Sequence, residues 1–150
     1  MGTGYFTQPS LCADRIVFVC EDDLWEVDSS GGQARRLTNS RSEIKTPYLD
    51  PSSKWIACCA KEEGDPDVYL MSADGGPLTR LTWLNSVTRI VGWTPDGSSI
   101  LFHSIHQAVH HRGSYAWLFK VGVDGGPVQR LPFGPAVSLN PVSYTHLRAH

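Results

Sequence analysis

The chain has 150 residues, 41% of them apolar and 19% charged, a composition that can bury a core and that excludes intrinsic disorder. Its formal charge of −2, from 13 basic and 15 acidic residues, argues against nucleic acid, an anionic membrane or a polycationic partner. No apolar run approaches the roughly 20 residues of a membrane span, and the opening lacks the basic and apolar regions of an export signal, so a cytoplasmic location is expected.

Along the chain, short runs rich in Val, Ile, Tyr, Trp and Phe are predicted as strands at 15–20, 55–60, 68–71, 100–103 and 118–121. No stretch of ten residues has helical periodicity, and 14 glycines with 10 prolines suit many turns. The expected class is therefore all-β.

A repeat organises these strands. Asp23-Leu24-Trp25-Glu26-Val27-Asp28-Ser29-Ser30-Gly31-Gly32 precedes Arg36-Leu37-Thr38. Asp67-Val68-Tyr69-Leu70-Met71-Ser72-Ala73-Asp74-Gly75-Gly76 precedes Arg80-Leu81-Thr82. Trp117-Leu118-Phe119-Lys120-Val121-Gly122-Val123-Asp124-Gly125-Gly126 precedes Arg130-Leu131-Pro132. The glycine pairs lie 44 and 50 residues apart. A second element shares the period: Asp50-Pro51-Ser52-Ser53-Lys54-Trp55-Ile56-Ala57 aligns with Thr94-Pro95-Asp96-Gly97-Ser98-Ser99-Ile100-Leu101, and Asp14-Arg15-Ile16-Val17-Phe18 is a looser copy. Glycine supplies the positive φ that hairpin turns need, Asp bonds its own backbone there, and Pro presets φ.

Each unit then holds about four strands in about 44 residues, the pattern of a β-propeller blade. The reading is a partial propeller: about three four-stranded antiparallel blades of a six-bladed ring. The blades fall at 4–40, 41–84 and 85–133, and a fourth begins at 134–141. Trp25, Tyr69 and Phe119 occupy equivalent positions and are expected to pack between blades. Three blades cannot close a ring, so a sheet face and strand edges stay open.

Other constellations carry less. Cys12, Cys20, Cys58 and Cys59 form no C-x-x-C pair, and the last three sit in apolar runs, so buried free thiols are expected. His103, His106, His110 and His111 cluster in sequence, but no carboxylate supports them and the segment runs from a strand into a loop, so no metal is expected. The Gly-Gly pairs join strands and cannot serve as nucleotide loops. No serine sits in a G-x-S-x-G elbow. The acidic runs Glu21-Asp22-Asp23 and Glu62-Glu63-Gly64-Asp65 read as solvated turns. No cofactor and no catalytic residue is expected in this chain.

The blade pattern resembles TolB, prolyl-oligopeptidase-type propellers and tricorn. Particular stretches resemble the first propeller of tricorn-type serine peptidases: Gly4-Tyr5-Phe6 with Pro9, Ile16-Val17-Phe18-Val19-Cys20-Glu21-Asp22-Asp23-Leu24-Trp25, Ala34-Arg35-Arg36-Leu37-Thr38, Leu81-Thr82-Trp83-Leu84, Val91-Gly92-Trp93-Thr94-Pro95-Asp96-Gly97 and Leu131-Pro132-Phe133-Gly134-Pro135-Ala136. The resemblance covers about residues 4 to 141. It implies a cytosolic, homo-oligomeric peptidase that trims short peptides, whose catalytic serine and histidine lie in later domains. In such a propeller the innermost strands, here near 43–49 and 87–93, border an axial channel. Lys45 or Arg89 is then expected to face the channel and attract peptide carboxylates. The alternatives are a TolB-like binding propeller without enzymatic activity, or the propeller of a prolyl-oligopeptidase-type enzyme. Residues 142–150 break the pattern, resemble translated adapter sequence and are expected to lie outside the fold.

Overall fold

The turns decide where each strand ends. In this computed structural model, which describes residues 5–39, 41–106, 116–133 and 135 together with the backbone of 139–141 and 147–149, both glycines of each repeated pair have positive φ, for example +101° at Gly75 and +122° at Gly76. Glu21 and Asp22 form a two-residue hairpin with φ of 51° and 64°, the turn whose twist suits flanking strands. Their acidity is thus turn chemistry. Asp23, next in the same run, is buried and departs from the expectation of a solvated turn, because it begins a strand and accepts bonds inside it.

Three four-stranded antiparallel sheets result, each in simple chain order. Blade 1 holds β1 (Phe6–Cys12), β2 (Arg15–Cys20), β3 (Asp23–Asp28) and β4 (Arg35–Arg36). Blade 2 holds β5 (Glu43–Leu49), β6 (Trp55–Lys61), β7 (Asp67–Ser72) and β8 (Thr79–Arg80). Blade 3 holds β9 (Thr88–Trp93), β10 (Ser99–Ser104), β11 (Trp117–Gly122) and β12 (Gly125–Arg130). A two-stranded pair follows, β13 (Leu139–Pro141) with β14 (Leu147–Ala149), so three backbone positions in the stretch expected to stand apart do pair with the chain before them. No helix is present among the described residues.

The sheets fan out from one edge. β1 touches β5, β5 touches β9, and β9 touches β13. The last strands of the blades, β4, β8 and β12, form no comparable set of contacts among the described residues. The first strand of each blade is therefore innermost, and the fan is the wedge arrangement of a partial β-propeller.

Alternation along the central strands supplies both faces of each sheet. In blade 2, Cys58, Tyr69 and Met71 join Val17, Leu24, Ile44 and Ile56 in a core against blade 1. Their neighbours Ala57, Cys59, Val68 and Leu70 join Ile90, Ile100, Phe102 and Phe119 in a core against blade 3. Burying each large apolar side chain there contributes about 1.5–3 kcal/mol. Tyr69 and Phe119 thus pack between blades as expected. Trp25, expected to do the same, is half-buried and joins neither core, because its face of blade 1 has no described blade against it; its ladder partner Phe18 packs edge-on against Phe6, with ring centroids 5.3 Å apart. Around it lies an apolar hollow of about 330 Å³ lined by Phe6, Pro9, Phe18 and Val27. Blade 1 therefore keeps one apolar face uncovered among the described residues.

Polar groups stitch the blades at their loops. Arg15 pairs with Glu26 in its own blade and reaches across to the carbonyls of Ser53 (3.2 Å) and Ala73 (2.7 Å) in blade 2. Burial raises the Glu26 carboxyl, but the guanidinium groups of Arg15 and Arg35 outweigh it and hold the group below its ordinary range.

Candidate functional site

The innermost strands carry the chemistry. Two of them bulge at the same repeat position: the β1–β2 register shifts between Thr7 and Ser10, and the β5–β6 register between Lys45 and Tyr48. Gln8 and Thr46 sit in these bulges with φ of 54° and 48°. For a β-branched residue such as Thr46 that backbone is unusual and has to be held by its surroundings. The holding groups form a relay around the fan. The Thr46 N–H donates to Gln8 Oε1 at 2.5 Å, and the Ile90 N–H donates to Thr46 Oγ1 at 3.3 Å. Residues 46 and 90 are separated by one 44-residue repeat. The Trp93 indole N–H adds a further link, to the Tyr48 carbonyl at 3.0 Å.

Between β5 and β9 this wall opens into a cleft of about 360 Å³. Lys45, Lys61 and Arg89 bring positive charge to it, Glu43 brings one carboxylate, and Thr46, Thr88 and His103 add further polar lining. Both residues expected to face the channel, Lys45 and Arg89, thus line one cleft, from successive innermost strands. Both are exposed. Lys45 Nζ lies 2.5 Å from Glu43 Oε1, its neighbour two positions away on the same face of β5. That contact, together with the Lys61 charge, holds the Glu43 carboxyl below its ordinary range.

Cys59 reaches the cleft wall, where its thiol donates to the Thr88 carbonyl at 3.4 Å. Burial pushes that thiol up to about 11, and burial pushes Cys58 higher still, so neither is a nucleophile at neutral pH. All four cysteines are free thiols; Cys20, Cys58 and Cys59 are buried and Cys12 is partly so. Of the histidine cluster, His103 lines the cleft and His106 lies 6.2 Å from the Phe119 ring between centroids. His110 and His111 fall outside the described residues. No group of three or more His, Cys, Asp or Glu with metal-binding geometry occurs among the described residues.

Sequence reasoning missed a pair of buried clasps on the outer strands. In blade 2, Asp67 accepts from Arg80 at 2.6 Å, from the Thr82 hydroxyl at 2.7 Å and from the Leu84 N–H at 2.9 Å. In blade 1, Asp23 pairs with Arg36 and accepts from the Thr38 hydroxyl at 2.7 Å. The signal was present, since Asp-x₁₂-Arg-x-Thr occurs twice at an offset of 44. These are structural groups and carry no chemistry toward a ligand.

Comparison with known proteins fits this geometry. The family described as the tricorn protease N-terminal beta propeller domain matches residues 3–145. Tricorn protease homolog 2 of Streptomyces coelicolor is 36% identical over 144 residues, covering 90% of this chain and 12% of that protein. The tricorn protease of Thermoplasma acidophilum is 28% identical over 141 residues, covering 87% of this chain and 13% of that protein. The chain thus spans about an eighth of the length of these relatives. The crystal structure of the tricorn protease superposes with a TM-score of 0.78 at 26% identity, over 93% of this chain and 14% of that one. TolB from Acinetobacter baumannii superposes with a TM-score of 0.71 at 20% identity, over 97% of this chain and 40% of that one, a likeness of fold alone. The chain belongs to the tricorn protease N-terminal β-propeller family.

Proposed function

We propose that this chain is the opening part of the first propeller of a tricorn-type serine peptidase that trims short peptides, and that its innermost strands guide peptides by their carboxylates. The catalytic serine and histidine belong to other parts of such an enzyme; no residue of this chain is given a catalytic role. The enzyme is taken to be cytosolic and homo-oligomeric, with the propeller contributing to peptide passage and to assembly.

The observation that carries the guiding role is the shared cleft: Lys45 and Arg89, one repeat apart, line one opening between adjacent innermost strands. Exposed cations gathered in a concave site raise the local concentration of anions and speed their arrival, an effect that falls with salt. A peptide's C-terminal carboxylate is the anion that every substrate or product of such an enzyme carries.

The test is charge reversal at both positions, Lys45→Glu with Arg89→Glu, in the complete peptidase. Trimming of free-acid peptides is expected to slow at low salt, with little change for C-terminal amides. Unchanged kinetics on both substrate types would remove the guiding role. A TolB-like binding function predicts instead that no peptidase activity accompanies the complete protein.

A further inference from the structure

The cleft carries its own carboxylate, and that group has a task if the cleft receives peptide carboxylates. Glu43 and Lys45 project from the same face of β5, with Oε1 and Nζ 2.5 Å apart. Glu43 also lies directly opposite Lys61 in the β5–β6 ladder. Arg89, on the next innermost strand, forms no ion pair among the described residues. The positive charges of the cleft therefore fall into two classes: Lys45 and Lys61 stand beside Glu43, one as its ion-pair partner and the other as its cross-strand neighbour, and Arg89 is open.

We propose that Glu43 is the resident counter-ion of the cleft and sets its affinity for anions: an incoming peptide carboxylate meets Arg89 first and gains Lys45 only by exchanging with Glu43. This rests on the reading of the cleft as a carboxylate site. The exchange is feasible because the pair is solvent-facing, with side-chain exposures of 54% for Lys45 and 41% for Glu43. Ion pairs of that exposure are weak and are readily replaced. Glu43 is thus a specificity residue. It leaves a monoanionic peptide end weakly held and repels peptides with a further acidic group beside that end.

A resident Glu43 makes Lys45 and Arg89 unequal, which the guiding role alone does not. With Glu43 in place, losing Lys45 costs the ligand little, whereas losing Arg89 costs it most of its attraction. With Glu43 neutralised, Lys45 becomes available and its loss matters.

The experiment is a calorimetric titration of the complete peptidase, its catalytic serine blocked by a covalent inhibitor, with trialanine and with trialanine amide at low salt. The chains compared are the parent, Glu43→Gln, Lys45→Ala, Arg89→Ala and Glu43→Gln with Lys45→Ala. Thermal melts establish that all are folded; Glu43→Gln is nearly isosteric on a partly exposed strand position. Glu43→Gln is expected to bind trialanine about twofold to fivefold tighter than the parent, the range an exposed pair commands. Binding of the amide stays unchanged, and Lys45→Ala reverses the gain. If Glu43→Gln binds no tighter while Arg89→Ala abolishes binding, the counter-ion role is overturned and the carboxylate cleft stands. If no chain distinguishes the acid from the amide, the carboxylate reading itself falls, and the counter-ion role falls with it.

Discussion

Blades 1 and 2 close their outer edge one way, and blade 3 closes it another. In the first two, the residue that opens the third strand is a buried Asp. It receives an Arg from the end of the fourth strand and a Thr hydroxyl from two residues beyond it. In blade 3 the same repeat position is Trp117, the Thr position is Pro132, and only the arginine is kept. The Arg130 guanidinium carbon then lies over the Trp117 ring, 3.6 Å from its centroid. One guanidinium position thus accepts two partners, a carboxylate or an aromatic face, both suited to its planar, delocalised charge. The difference lies in what each leaves behind when cut. A buried carboxylate gathers several donors, so its loss strands them together. A ring gathers one cation that solvent can otherwise hydrate.

The largest expected effect follows from that asymmetry. Asp67→Ala leaves the Thr82 hydroxyl and the Leu84 N–H without their acceptor and Arg80 without its counter-charge. The expected cost is about 3 kcal/mol, set by the unsatisfied buried donors more than by the partly exposed ion pair. Asp23→Ala is expected to cost less, about 2 kcal/mol, because Arg36 is 45% exposed where Arg80 is 33%. Trp117→Leu keeps an apolar side chain and removes the stack, for about 1 kcal/mol. Thermal or urea unfolding of the three variants checks the order Asp67, Asp23, Trp117. Equal losses at Asp67 and Trp117 would show that the two closures do not differ as described.

The clasps also show what the sequence concealed. The blade count and the principal strands were legible because Gly-Gly turns recur 44 and then 50 residues apart with the positive φ that glycine favours, and because the turn at 94–97 has a copy 44 residues earlier. Lys45 and Arg89 could be picked out because they sit one repeat apart on strands of one kind, but that they line one cleft was not read from the sequence. The clasps were repeated just as faithfully, but Asp23 stood in an acidic run that reads as solvent-facing. Its burial depends on where β3 begins, which the turn at Glu21 and Asp22 decides. The bulges at Gln8 and Thr46 had no local signature, since neither residue favours a left-handed backbone; the inter-blade hydrogen bonds hold them there. Likewise the Glu43–Lys45 pair needs side-chain direction, which alternation suggests and only the folded strand supplies.

A second comparison, between the loops at 50–53 and 94–97, gives a pH test. Asp50 is buried, which raises its carboxyl, but bonds from Ser52, Trp55 and Lys54 outweigh burial and hold it below 3.8. Asp96 is exposed, and the Thr94 hydroxyl with the Ser98 N–H and hydroxyl holds it at about 2. Both groups are stronger acids folded than unfolded, so the unfolded chain takes up protons first as pH falls. Their stabilisation is complete above the unfolded value near 3.8 and is lost as pH drops through the lower folded values. The melting temperature is therefore expected to fall between about pH 4 and pH 2. Asp50→Asn is expected to melt lower at pH 7 and to show a shallower acid slope. A slope identical to the parent's would mean that this loop is not an acid-labile element.

The smallest effect tests the same two loops through the backbone alone. Ser53 has φ of 58° at the place where blade 3 has Gly97 with φ of 70°. An L-residue held in that region costs about 1–2 kcal/mol, while glycine costs roughly 0.5–1 kcal/mol in unfolded-state entropy. Ser53→Gly is thus expected to gain about 0.5 kcal/mol, the small net of the two. Its hydroxyl makes one long contact, 3.4 Å to the Cys12 carbonyl, so little else is lost. Gly97→Ser is the reverse substitution. A Cβ at Gly97 meets Pro51 Cδ at 3.7 Å and Asp50 Oδ2 at 3.8 Å, ordinary contacts, so strain and not crowding sets its cost. Matched, opposite shifts in melting temperature would make the two loops equivalent turns with different residues. A loss at both positions would mean that Ser53 is held by more than its φ, and that the Asp50 loop of blade 2 is built on a plan of its own.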